Sequence, residues 1–599
     1  MRQYAIWDIH REPPYPSVHE ALLQCRGLEG SDLSVGAETL HAPELLKDLT
    51  RAVERISRAI RDKELILVFG DYDADGITST ALLLDFLESV GAECDYMLPN
   101  RHLDGYGISR RAVEAALERE AGLVITVDNG ISAFEALQLA QSRDLDVVVL
   151  DHHRQNEALP PAHSIVNPNR RDCDYPFKGL AGVGVTFKVV QALCSTFMTP
   201  ENRRPYLNQL LEFVALGSVA DVAPVLEENR VLIRRGLRAM QQSSRPGMKQ
   251  LKAAARCDNG PVDTTSVGFY LGPRLNSAGR LASPDLSLQL LRAGDEVTAK
   301  SLAAELEELN SRRRELQREG MREAQSLVSE DDLEMDRILV LLGEDWKPGI
   351  IGLIAGSVVE KYNRPAVIVT DARRDGTYVG SARSIEAYDI NAGISSCAKH
   401  LTTYGGHPGA AGFSLQGENF EAFRADLIRH ANERLTEADM APKLPVDLLL
   451  DPSDIGMRTL ETLAEMEPFG SGNESPVFAA LDLEVVARGR MGQGGEHLRA
   501  VLNVDGRPTS AVWWRNGIVA DQLAPGDRVA VAFELKPDLY EGAVTGVQIV
   551  VRDMYHTHRS PAAAPGPAPE SAADGSAEPI VEVDVVSTSG EPARGDFAF

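Results

Sequence analysis

Gly70-Asp71-Tyr72-Asp73-Ala74-Asp75-Gly76 is the stretch whose reading decides the fold. A compact apolar run, Leu65-Ile66-Leu67-Val68-Phe69, stands before it, and Ile77-Thr78-Ser79-Thr80-Ala81-Leu82-Leu83-Leu84 follows. β-prone residues, a glycine-flanked acidic turn and a helix-favouring segment predict strand–loop–helix. Carboxylates this close repel one another unless a cation neutralises them, and hard oxygen donors suit Mg2+ or Mn2+. They also fall at the carboxyl end of a predicted parallel strand, where open α/β sheets carry their ligands. An acidic turn on its own is commonly just a solvated loop, so the other strands decide.

The alternation continues with a strand near Tyr96–Leu98, a helix over Ser109–Glu118, the strand Leu123–Val127, a helix over Ala133–Ser142 and the strand Asp146–Leu150. Apolar, β-branched strands between helices predict a parallel sheet covered on both faces. Asp128 follows Val127 in Thr126-Val127-Asp128-Asn129-Gly130, and Asp151-His152-His153 follows Leu150. Acids and imidazoles at the same end of three strands converge in space, which predicts a metal site. Asp221 ends an apolar helical stretch, Ala215–Pro224, and by itself reads as a cap. Gly179, Gly182 and Gly184 do not follow a strand, so they read as a helix-start loop and not a dinucleotide loop.

Length, 599 residues, predicts several domains. The six cysteines show no C-x-x-C spacing, which fits reduced thiols in the cytoplasm. No run approaches the ~20 apolar residues of a membrane helix, and Met1–Asp8 lacks the apolar core of a signal peptide. A net charge of −27 argues against nucleic acid as a partner only if it is evenly spread. It is not. After His558, seven acids face Arg559 and Arg594 in a stretch of Ala, Pro, Gly and Ser, which reads as a disordered acidic tail. Asn229–Arg256 holds Arg230, Arg234, Arg235, Arg238, Arg245, Lys249, Lys252 and Arg256 with no acid. That block reads equally as a phosphate-binding strip or as solvated helix faces.

Gly272–Arg280 reads as a glycine-punctuated loop offering Arg274, Asn276 and Arg280. Val297–Val328 predicts one long helix with Leu302, Leu306, Leu309 and Leu316 on one face and Arg312, Arg313, Arg314 and Arg318 on the other, bridging two lobes. In the second lobe, Gly380–Ser384 and Tyr404–Gly412 read as tight turns that offer Ser381, Arg383 and His407 to an anion. From Leu444 to Met554, five short strands (Leu481–Val486, His497–Val504, Ser510–Trp514, Arg528–Leu535, Ala543–Val551) predict a barrel of the OB type. Trp513, Trp514 and Tyr540 there suit either core packing or base stacking, and adjacent tryptophans on one strand face opposite ways.

The Asp71–Gly76 run, Asp128-Asn129-Gly130, the Asp151-His152-His153 triplet, Gly217–Pro224 and Pro273–Arg280 together resemble, in order, the motifs of the DHH phosphoesterase family. The resemblance covers residues 18 to 556. It implies an α/β fold: a parallel-sheet DHH domain (49–295) after an N-terminal arm (1–48), a connecting long helix (296–330), a smaller α/β DHH-associated domain (331–440), an OB-type barrel (441–556) and the tail (557–599). It implies two divalent cations, Mn2+ or Mg2+, on Asp71, Asp73, Asp128, His152 and Asp221, with His153 at the scissile phosphate and Asp73 and Asp128 among the catalytic groups. Asp75 is left open as a ligand. Arg101, Arg280, Ser381, Arg383 and His407 would contact nucleic-acid phosphates. The implied activity is 5′-to-3′ hydrolysis of single-stranded DNA to 5′ mononucleotides in recombination and repair, by a cytoplasmic monomer working with a helicase and a single-strand-binding protein. Rival readings are a phosphodiesterase for short oligoribonucleotides or cyclic dinucleotides, and a strand-binding scaffold without turnover.

Overall fold

The computed structural model describes residues 3–4, 6–27, 39–99, 107–258, 260–371, 375–540 and 543–559. Arg101 and the expected acidic tail beyond residue 559 lie outside them. The described residues divide into a catalytic unit (39–440 and 468–474) and a barrel unit (3–27, 441–467 and 475–559).

In the catalytic unit, five parallel strands lie in the order Cys94–Met97, Ile66–Phe69, Leu123–Val127, Asp146–Leu150, Ser164–Val166. Ile66–Phe69 and Leu123–Val127 are buried throughout, as their unbroken apolar runs require. Ile77, Leu82 and Phe86 of the helix Ala74–Ser89 share one core with Val185 and Val189 of Gly182–Phe197. Val113 and Leu137, from the helices Arg110–Glu118 and Phe134–Ser142, cover the other face. In chain order the sheet runs 2-1-3-4-5. It therefore reverses direction between Ile66–Phe69 and Leu123–Val127, and the loops leaving those two strands open a crevice. The acidic turn and Asp128 stand at its two lips.

Gly272–Leu281 is a helix, where the sequence suggested a loop. Pro273 falls in its first turn, where a missing N–H costs nothing. Arg274 inside it is buried, donating to Glu307 at 2.6 Å and to the Tyr270 carbonyl at 2.8 Å. The basic block 229–256 is also partly structural. Arg230 and Lys252 are buried, Lys252 donates to the Met240 carbonyl at 2.7 Å, and Arg245 pairs with Glu212 at 2.6 Å and Asp85 at 2.8 Å. It is not a continuous phosphate-binding strip.

The long helix is Glu296–Leu327, capped by Asp295, whose carboxylate accepts the Thr298 N–H at 2.9 Å. Its buried residues, Ala299, Ala303, Leu306, Asn310, Gln317, Gly320 and Ala324, advance in steps of three, four or seven. Of the expected leucines, Leu306 lies in this stripe, whereas Leu302, Leu309 and Leu316 flank it. Small residues bring the helix axis close to its neighbours, and larger ones fill the edges. Ala299 to Leu306 belong to the catalytic core and Ala324 to the core of the second lobe, so one helix face serves both.

The second lobe is a mixed sheet in the order Thr403–His407, Ala410–Gln416, Thr377–Arg383, Ala366–Thr370, Leu339–Gly343. Ser381, Arg383 and His407, expected in turns, sit on strands. Glycine and alanine here keep a sheet face clear rather than bend the chain.

In the barrel unit, Phe478–Met491, His497–Val504, Arg507–Trp513, Ala543–His558 and Arg528–Tyr540 close on themselves, because the first and last also pair. His497–Val504 keeps its predicted bounds and the other four strands outrun theirs, and register shifts at Ala480/Leu483 and Val485/Ala487 let Phe478–Met491 bend round the barrel. Lys443–Leu449 extends the sheet, and the N-terminal strand Ile6–Arg11 pairs with it in parallel. The expected arm is thus divided: its strand belongs to the barrel unit and residues 39–48 to the catalytic unit. Trp513 is core, whereas Trp514 meets the His497 ring edge-on at 5.0 Å.

Candidate metal centre

The carboxyl ends of three neighbouring strands bring their side chains together. Ligand atoms of Asp71, Asp73 and Asp128 lie within 4.8 Å of one another, as do those of Asp128, His152 and His153, and those of Asp75, His152 and Asp221. Asp128 belongs to two of these groups. It holds a left-handed backbone (φ 62°), which aspartate tolerates better than most residues. Asp71, Asp75 and Asp128 are buried, while Asp73, His152 and Asp221 are half-buried.

The local sequence explains each placement. Asp73 caps the helix Ala74–Ser89, accepting the Asp75 and Gly76 N–H groups at 3.1 Å. Asn276 holds the same loop by accepting the Ala74 N–H at 2.7 Å. The helix Gly182–Phe197 begins at Ala181, which has no side-chain acceptor to offer, and Asp75 supplies one. It accepts the Gly182 N–H at 2.7 Å and the Val183 N–H at 2.9 Å. A Cβ on Gly182 would lie 2.6 Å from that of Asp128, so only glycine lets this helix end reach the site. Asp75 thereby joins the acidic loop to the start of the helix Gly182–Phe197.

Asp221 closes the helix Pro200–Ala220. Val222 N–H donates to the Val219 carbonyl at 3.1 Å and Ala223 N–H to the Ser218 carbonyl at 2.9 Å, the hydrogen bonds of a Schellman cap. The left-handed residue of such a cap is usually glycine, yet here it is Val222, at φ 59° and 69% exposed. Val222→Gly is expected to raise the unfolding free energy by about 1 kcal/mol, read from the midpoint of urea denaturation.

The charges fit divalent cations. Asp128 Oδ1 and His152 Nε2 are buried, 3.1 Å apart, and neither makes a hydrogen bond. Since His152 bonds the Leu180 backbone, that bond comes from Nδ1, and the Nε2 lone pair is left facing the carboxylates. Burial, then the charge of His153, pushes the His152 pKa down to about 4, so it stands there as a neutral imidazole. Burial and mutual repulsion hold the Asp128 and Asp221 carboxyls well above the usual range and push Asp75 up to about 7. A cluster that resists its own ionisation, with an orphaned acceptor and an orphaned imidazole nitrogen, is relieved by cations bound through oxygen and nitrogen donors.

His153 stands apart chemically. Burial works against its charge, but the Asp151 carboxylate at 2.7 Å outweighs burial and raises its pKa to about 9. Asp151 Oδ1 also accepts the His152 and His153 N–H groups, and Oδ2 accepts the Ile131 N–H at 2.9 Å. Sequence reasoning counted the triplet without giving Asp151 this orienting role. It also missed Asn167 and Asn169, which donate to the His153 carbonyl at 2.9 Å and the His152 carbonyl at 2.5 Å. The signal was present, because Asn167-Pro168-Asn169 follows Ser164–Val166 and so also stands at a strand's carboxyl end.

Arg280 donates to the Gly349 carbonyl of the second lobe at 3.1 Å. Arg383 and His407 share one row of that lobe's sheet, each opposite Ala410, and Ser381 lies one step along the same face. His407 comes near enough for its charge to bear on His152. Arg383 donates to Ser381 Oγ at 3.3 Å and lines an open cavity of about 430 Å3 with Gly352, Leu353, Gly356 and Glu360.

Three family models match: the DHH family, N-terminal domain, over residues 65–218, the DHHA1 domain over 336–433 and the RecJ OB domain over 446–553. The chain is 37% identical over 449 residues to the single-stranded-DNA-specific exonuclease RecJ of Dickeya dadantii, a match spanning 72% of this chain and 78% of that one. It is 34% identical to the Escherichia coli protein of the same name, over 85% of this chain and 92% of that one. The Bacillus subtilis RecJ is 34% identical over 82% of this chain, which spans 62% of that longer relative. The fold superposes on a crystal structure of Thermus thermophilus RecJ in complex with Mn2+ with a TM-score of 0.76 at 29% identity, covering 93% of this chain and 80% of that one. A second structure, exonuclease RecJ bound to manganese, gives 0.57 at 32% identity over 65% of this chain and 96% of that one. Among the described residues no helix is long and apolar enough to cross a membrane. With its acidic strand ends, its second lobe and its barrel each matched along most of a relative's length, the chain belongs to the RecJ family of DHH proteins.

Proposed function

We propose that this protein is a divalent-cation-dependent exonuclease that degrades single-stranded DNA from the 5′ end, releasing 5′ mononucleotides in recombination and repair. The observation that carries the reading is the convergence of acids and imidazoles at the sheet's switch point, in a chain of this family. Asp71, Asp73, Asp128, His152 and Asp221 would hold two Mn2+ or Mg2+ ions. When bound, such ions provide an acidified water and neutralise the anionic transition state. His153, kept charged by Asp151, hydrogen-bonds a non-bridging oxygen of the scissile phosphate, where negative charge accumulates. Arg101, Arg280 and His407 bind backbone phosphates, and Ser381 with Arg383 receives the terminal 5′-phosphate. A monomer supplied with single strands by a helicase and a single-strand-binding protein completes the picture.

The test offers the purified chain 5′-labelled single-stranded DNA, duplex DNA and dinucleotides with Mn2+. Mononucleotide release from single strands alone is expected, and Asp73→Ala abolishes it. Release that survives Asp73→Ala, or activity confined to dinucleotides, overturns the reading. Arg383→Ala is expected to reduce the preference for 5′-phosphorylated over 5′-hydroxyl ends by roughly 10-fold, the value of a charge-assisted hydrogen bond.

A further inference from the structure

Pro468-Phe469-Gly470-Ser471-Gly472-Asn473-Glu474 belongs to the catalytic unit, although the residues on either side of it belong to the barrel unit. The segment is braced internally. Gly470 and Asn473 exchange backbone hydrogen bonds at 2.9 and 3.0 Å, and the buried Asn473 side chain donates to the Pro468 carbonyl at 2.9 Å. Its outward hydrogen bonds are specific. The Ser471 carbonyl accepts the Val225 N–H at 2.8 Å, and the Phe469 carbonyl accepts the Thr264 hydroxyl at 2.6 Å. Gly470 lies so close over Val225 that a Cβ there would fall 2.6 Å from Val225 Cγ2.

Val225 ends the turn that starts at Asp221, and Val222 inside that turn holds the left-handed conformation that β-branched residues avoid. Such backbone persists only where its surroundings over-determine it. From the protein side the turn is fixed by buried Asn229, which donates to the Pro224 carbonyl at 3.0 Å and to the Gly179 carbonyl at 2.7 Å. At its far end the Val225 N–H is held by Ser471. We propose that Pro468–Glu474 is a positioning latch for Asp221: it clamps the strained turn that carries this carboxylate and so sets the affinity of the metal centre. The inference rests on the metal-dependent reading above. It adds that a stretch continuous at both ends with the barrel unit helps to shape that centre.

The decisive variant is Gly470→Ala in the full chain, with Mn2+ binding measured by calorimetry. Mn2+ affinity is expected to fall on the order of 10-fold, as for other residues that orient metal ligands. The KM for single-stranded DNA at saturating Mn2+ should be unchanged. Adding Val225→Ala should restore the affinity, because Val225 Cβ is 3.6 Å from the new methyl position and only Cγ2 obstructs it. Thr264→Val, which frees the Phe469 carbonyl without adding bulk, should weaken Mn2+ binding in the same direction and decides the matter if Gly470→Ala does not fold. Unchanged Mn2+ affinity in the variants that fold, or a loss that Val225→Ala does not repair, overturns the latch. Wild-type protein that binds Mn2+ but degrades no DNA would instead overturn the nuclease reading and leave the latch standing.

Discussion

Asp128→Asn is expected to abolish DNA hydrolysis, by at least about 10^3-fold, while making the metal-free protein more stable. Asparagine fills the same volume and tolerates the left-handed backbone at this position (φ 62°), so the turn should survive. What changes is charge. Burial first, then repulsion from Asp75, Asp73, Asp71 and Asp221, holds the Asp128 carboxyl well above the usual range. A carboxyl that prefers its proton in the folded state costs nothing at pH below its ordinary value of 3.8. Its destabilising effect grows as pH rises through the folded value. At pH 7.5 in EDTA the asparagine variant should therefore melt higher than wild type, by about 2 °C or more. In Mn2+ the order should reverse, because wild type gains the binding energy and the variant does not. Scanning calorimetry in both buffers measures the pair of signs. A variant that keeps the full Mn2+-induced rise would remove Asp128 from the centre.

Asp151→Asn should lower kcat by about 100-fold with the KM for single-stranded DNA within about twofold of wild type. Asp151 is acceptor on both oxygens, Oδ1 toward the His153 ring and two backbone N–H groups and Oδ2 toward Ile131 N–H. An asparagine must set its NH2 against a donor on one side or the other, and it carries no charge to hold His153 protonated. In wild type this pair contributes stability that is fully present below the ordinary histidine value of 6.5 and fades as pH rises through about 9. The variant loses that window. NMR titration of the His153 ring should move from about 9 toward or below 6.5, and a ring still titrating near 9 would rule out Asp151 as its anchor.

Much of the catalytic lobe was legible because the signals were local. Leu65–Phe69 and Leu123–Val127 are too apolar for anything but buried parallel strands, and the rule that ligands gather at strand ends places Asp71, Asp128 and His152 together. Asp221 was not legible in this way. Its helix comes from far along the chain, and only the fold shows the cap facing the strand ends. The helix Gly272–Leu281 was hidden by its own composition, since Gly272-Pro273 suggests a break and is instead a permitted first turn. The basic block 229–256 misled because whether an arginine is solvated depends on partners remote in sequence, as Asp85 and Glu212 are for Arg245. The asparagines at 229 and 276 act through backbone carbonyl and amide groups, and no pattern of residue types advertises that role.

The helix Glu296–Leu327 has one more consequence. Its single inner stripe meets the catalytic core at Ala299, Ala303 and Leu306 and the second lobe's core at Ala324. One residue removed between Leu306 and Ala324 would turn the second lobe by about 100° and draw it in by about 1.5 Å, carrying Arg383 and His407 away from the strand ends. The helix is therefore a ruler as well as a connector. Its residues can be exchanged within wide limits, but its length cannot drift, so insertions and deletions among proteins of this build should spare this helix and collect in surface loops.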